Sequence, residues 1–112
     1  MWNTNGDLIK KQAEFWDEDL KMHGDRVEET IQEISPLDLV LADSEVLAIY
    51  QTDPKDLDKT KQLIIAIKNG IALPPVLIKD NLEVVDGYHR VLAARQLGLS
   101  FVPCIKLILA KN

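Results

Sequence analysis

Val84-Val85-Asp86-Gly87-Tyr88-His89-Arg90 runs directly into Val91-Leu92-Ala93-Ala94-Arg95-Gln96-Leu97-Gly98. An apolar strand meets a tight turn, and the turn opens a helix of about ten residues that Gly98 stops. Within five residues, 86–90, the junction combines glycine, histidine, arginine and a carboxylate. A helix begins with backbone N–H groups that have no intrahelical acceptor, and its dipole adds positive potential at that end. Gly87 permits a tight turn and leaves room for an anion to approach the N–H groups of Tyr88, His89 and Arg90.

The side chains extend that argument. In a regular helix Arg90 shares an azimuth with Ala94 and Leu97, the residues expected to face the sheet, and an unpaired charge there is costly. A phosphate can pair with it in bidentate fashion, and Asp86 is the structural alternative. His89 donates one hydrogen bond when neutral and two when charged, which suits a phosphoryl oxygen. Asp86 has two mutually exclusive readings. It caps the helix or pairs with a cation, or it holds a metal ion and polarises a nucleophile.

Upstream, Pro74-Pro75-Val76-Leu77-Ile78-Lys79 reads as a strand entered through a rigid proline pair. Asp80-Asn81 turns the chain, and residues 82–86 return as an antiparallel partner. Pro54 starts a helix over about 54–69, with Leu57, Thr60, Leu63, Ile64 and Ile67 inward. Its lysines, Lys55, Lys59, Lys61 and Lys68, fall mostly on a solvated face. A short helix capped around Asp43-Ser44 is expected through Tyr50, and a first strand over 29–34, followed by a turn at Pro36. Residues 100–109 supply a last strand containing Cys104, read as a small buried hydrophobe. At the start, residues 1–6 are expected to fray. Ile9, Ala13, Trp16, Leu20 and His23 then recur at helical spacing from Asp7 to Gly24. The expected architecture is α+β: helices packed on a small mixed sheet over 26–112, with an amphipathic helical extension over 1–25.

Composition narrows the function classes. The 112 residues fit one compact domain, and a net charge of -5 argues against a protein that coats DNA or an anionic membrane. One cysteine excludes an internal disulfide framework and a Cys-rich zinc site. No apolar run approaches the ~20 residues of a membrane span, and the N-terminus lacks the pattern of a signal peptide, so a cytoplasmic location is expected.

Asp86-Gly87-Tyr88-His89-Arg90, with Ala93-Ala94, Leu97-Gly98 and Val102-Pro103, resembles the ParB and sulfiredoxin superfamily. The proline-led strand and the preceding helix extend the resemblance over about residues 29–109. It implies that Gly87, Tyr88, His89 and Arg90 cradle the phosphates of a nucleotide: ATP, ADP or CTP, with Mg. Lys59 is similar in place to a nucleotide-proximal lysine of sulfiredoxins, although Gln62 and Ala66 stand where hydroxyl residues are expected. Tyr88 stands where sulfiredoxin has its essential cysteine, which excludes sulfinic acid reduction. The chain also ends before the DNA-reading and dimerisation parts of ParB partition proteins.

The Asp-Gly-x-His-Arg version is closer to the free serine kinase branch, where a strand-end Asp and a separate Glu serve the chemistry. Asp86 matches the first, and Glu45 is the candidate for the second. The leading expectation is a nucleotide-binding domain with NTPase or phosphotransferase chemistry, in which Asp86 supports a metal or an acceptor hydroxyl. The alternatives are a plasmid or phage nucleic-acid accessory protein acting beside a separate DNA-binding subunit, and a non-catalytic interaction module dimerising through Ile9, Trp16 and Leu20.

Overall fold

A computed structural model describes residues 2, 4, 6–8, 11, 26–27, 31–42 and 44–108. The elements are β1 (Arg26–Val27), β2 (Gln32–Ile34), α1 (Ser44–Thr52), α2 (Pro54–Lys68), β3 (Val76–Ile78), β4 (Val84–Asp86), α3 (Tyr88–Leu97) and β5 (Val102–Ile108). β5 is the hub of a mixed sheet. β1 and β2 both pair antiparallel to one edge of it, β3 lies parallel on the other edge, and β4 closes the hairpin with β3. The α+β class and the mixed sheet are as expected.

Alternating strand residues point to opposite faces, so a run of consecutive buried residues means that both faces are covered. Val76, Leu77 and Ile78 are all buried, as are Val102, Pro103, Cys104 and Ile105. Four consecutive positions of α3, Val91 to Ala94, are buried as well, so this helix is enclosed rather than laid on a surface. Ile67 of α2 joins the same core. Trp2 does too, at 6% exposure, so this position is packed where fraying was expected. An indole buries more apolar surface than any other side chain, enough to hold a terminus down. Of the expected helix over 7–23, residues 7, 8 and 11 are helical, and Ile9, Ala13, Trp16, Leu20 and His23 lie outside the described residues.

Three boundaries differ from the sequence reading. Of the strand expected over 29–34, residues 32–34 are extended and pair with β5, while Arg26–Val27 forms a separate short pairing. α1 continues past Tyr50 to Thr52, whose hydroxyl donates back to the Ala48 carbonyl at 2.7 Å. Leu82 belongs to the hairpin turn, not to the returning strand. Its φ of 68° is left-handed, and its N–H donates to the Lys79 carbonyl at 3.0 Å. The half-buried Leu82 side chain packs on the core, which offsets the backbone strain.

The segment after β2 crosses to the far side of the sheet, where Val40 bridges to Glu83 and protects the outer edge of β4. Arg95 of α3 holds this crossover by donating from Nε to the Pro36 carbonyl at 2.9 Å and from Nη2 to the Leu39 carbonyl at 2.8 Å. Arg95→Ala leaves both carbonyls without that donor and is expected to cost about 2 kcal/mol in chemical denaturation. Arg95→Lys should recover only part of it, because one ammonium cannot reproduce the fork. Cys104 is fully buried, as expected. Burial pushes its thiol up to about 12, and its Sγ faces the Val102 carbonyl at 3.4 Å.

Candidate functional site

The β4–α3 junction is organised by one backbone conformation. Gly87 sits at φ 114° and ψ 26°, outside the range that side-chain-bearing residues adopt easily, and it is the N-cap of α3. The strand ends at Asp86, and Gly87 alone separates it from Tyr88, the first residue of the helix.

Space around Gly87 is tight on the inner side. A Cβ there would meet Val76 Cγ2 at 3.2 Å and the Nε and Nη2 atoms of Arg90 at 3.4 Å. The guanidinium therefore lies against the turn. Its Nη1 donates to the carbonyls of Pro74 at 2.8 Å and Pro75 at 3.1 Å, and Nη2 stands 3.9 Å from Asp86 Oδ2. Burial lowers the Arg90 pKa, and the Asp86 carboxylate opposes that shift. Because Nη1 is committed to the proline carbonyls, Arg90 braces the strand entry against the turn, with Nη2 facing the Asp86 carboxylate.

His89 turns toward α2. Its Nε2 lies 2.8 Å from Asp56 Oδ1, and its ring stacks on Tyr50 with centroids 4.0 Å apart and planes at 25°. Tyr50 also meets Tyr88 edge to face at 5.9 Å. These groups surround a cleft of about 590 Å³. Lys59, Arg90 and Asp86 supply its charged lining beside the His89 imidazole, and Leu63, Ala66, Leu73, Pro74 and Val85 its apolar wall. Gln62 is on the rim, its amide donating to Asp58 Oδ2 at 2.9 Å. The volume lies within the range of small-molecule sites.

The structure thus brings Asp86, Gly87, Tyr88, His89, Arg90 and Lys59 to one cleft. Glu45 is placed elsewhere, exposed in the first turn of α1 and not among the cleft residues. Two contributors had no role in the sequence reading. Asp56 is 33 positions from His89, and its place in the first turn of α2 could have drawn notice only as a dipole-favoured acid. Tyr50 belongs to a helix with no buried residue, so its aromatic ring was the one available signal. Among the described residues no group of three or more His, Cys, Asp or Glu side chains could hold a metal. Asp86 would serve a cation as a single carboxylate.

No family model and no curated protein matches the sequence. Solved structures do. The chain superposes on sulfiredoxin from Arabidopsis thaliana with a TM-score of 0.54 and 22% identity, over 69% of this chain and 83% of that one. It also superposes on two structures of a pNOB8-like ParB N-domain, with TM-scores of 0.56 and 0.54 and identities of 19% and 18%. These cover 76% and 73% of this chain but 32% and 28% of theirs, so the chain spans less than a third of those proteins. The chain has the ParB/sulfiredoxin-like fold.

Proposed function

We propose that the protein binds a nucleotide by its phosphates at the Gly87–Arg90 turn. The observation that carries this reading is the start of α3, where Gly87 opens the helix at φ 114° and Lys59, His89 and Arg90 converge in the same cleft. The helix dipole and these basic side chains favour an anion at one place. The apolar wall formed by Leu63, Ala66, Leu73 and Pro74 suits a base or sugar beside it. A single carboxylate is compatible with Mg, which commonly takes one or two protein carboxylates and completes its shell with phosphates and water. Asp86, at the end of β4, would be that ligand, and the ion would neutralise phosphate charge. NTPase or phosphotransferase chemistry is the turnover this arrangement could support.

The test is a thermal-shift panel of ATP, ADP and CTP, each with and without Mg, beside inorganic tripolyphosphate. At about 100 times Kd a ligand adds about 2.7 kcal/mol to stability, a readily measured rise in Tm. A rise with nucleotides and a smaller one with tripolyphosphate is expected. No rise with any of them would end this reading.

A further inference from the structure

His89 does not stand alone in the cleft, and its partner restricts what it can donate. A carboxylate only accepts hydrogen bonds, so the ring nitrogen 2.8 Å from Asp56 Oδ1 must carry the hydrogen, and that nitrogen is Nε2. A neutral imidazole has a single N–H. With Nε2 so committed, Nδ1 of the neutral ring is a lone pair, and a phosphoryl oxygen offers only lone pairs in return. The two repel unless Nδ1 gains a proton. Resting on the phosphate-binding reading, we propose that Asp56 is a positioning residue that makes His89 a donor to phosphate only as imidazolium, so that binding of a terminal phosphoryl group takes up a proton.

The surroundings fit that role. The His89 and Asp56 side chains are 20% and 16% exposed, so water competes weakly for their hydrogen bond. Tyr50 from α1 stacks on the ring, fixing its plane and offering a π face to a cation. Among the charged groups of the cleft, Asp56 from α2 and Asp86 from β4 favour the imidazolium, whereas Lys59 and Arg90 oppose it. An incoming phosphate tips this balance toward protonation. Because the gain grows with charge on the phosphoryl oxygens, the chemistry selected is a terminal, dianionic phosphate rather than a diester.

The full chain labelled with 15N tests this first without ligand. Long-range ring spectra at about pH 9, where imidazole is neutral, should show His89 protonated at Nε2 and bare at Nδ1. His89→Gln separates its signals from those of His23, the only other histidine. In Asp56→Asn the amide can donate to Nε2, and the Nδ1–H tautomer should appear. Calorimetry in two buffers of different ionisation enthalpy then follows, with ADP and with phenyl phosphate, a monoester that is fully dianionic near pH 8. Wild type should take up a proton on binding at a pH where the free ring is neutral, and its affinity should fall as pH rises. Asp56→Asn should lose most of the uptake and flatten the pH profile. An Nδ1–H tautomer in wild type overturns the inference. So does binding without proton uptake, or uptake that survives Asp56→Asn; either leaves phosphate binding standing. Uptake with ADP but not with phenyl phosphate overturns the assignment of the proton to the phosphoryl contact. Binding of neither ligand overturns both readings.

Discussion

Gly87→Ala is expected to lower stability by about 2–4 kcal/mol, a drop in Tm of roughly 10–20 °C. Two costs add. The backbone at φ 114° is one that an alanine adopts only under strain, and the new Cβ meets Val76 Cγ2 at 3.2 Å and the Arg90 guanidinium at 3.4 Å. The first contact is with a core side chain on β3 and has little freedom to relax. Gly98→Ala is the control, because it shares a left-handed φ, 66°, but has open space around it. It should cost about 1 kcal/mol. Near-equal losses in the two variants, measured by urea denaturation, would show that crowding at the turn contributes nothing. The proposed rise in Tm with nucleotide should also shrink in Gly87→Ala, since the methyl group displaces the guanidinium that lies against the turn.

Arg90→Ala should cost about 3 kcal/mol. Its Nη1 satisfies the carbonyls of both Pro74 and Pro75, and Pro75 is fully buried, so truncation leaves acceptors that water does not easily reach. The Asp86 contact adds little, because that carboxylate is 44% exposed and 3.9 Å away. Arg90→Lys should fall between wild type and Arg90→Ala, as one ammonium cannot serve two carbonyls and also present a second donor edge to the turn. Burial lowers the Arg90 pKa from a value far above neutrality, so its loss on mutation should not depend on pH across the neutral range. A variant as stable as wild type would mean that Arg90 is not the brace between the proline entry and α3. Loss of nucleotide response at unchanged stability would give it a direct contact with the ligand instead.

The two variants also separate what local sequence could reveal from what it could not. Gly87 was legible because a glycine between an apolar strand and a helix signals a tight turn, and turn chemistry is local. The hairpin about Asp80-Asn81 and the bounds of α2 and α3 were legible for the same reason: prolines, glycines and periodicity act over a few residues. Arg90 was recognised as an odd charge on an inward face, yet its partners were not, because the carbonyls of Pro74 and Pro75 lie 16 and 15 positions away. The Pro36 and Leu39 carbonyls that Arg95 holds are 59 and 56 positions distant and carry no side-chain signature at all.

The sequence by itself determined the α+β class, the order of the hairpin, helix and last strand, and the place where an anion could meet a helix start. These follow from period, turn residues and backbone chemistry, which neighbouring residues decide. Only the tertiary structure decided that β5 is the hub, that Trp2 joins the core, that Glu45 stands away from the cleft, and that Asp56 and Tyr50 close on His89. Those choices depend on how α1 and α2 dock against α3. Docking is governed by the fit of surfaces far apart in the chain, which no local pattern encodes.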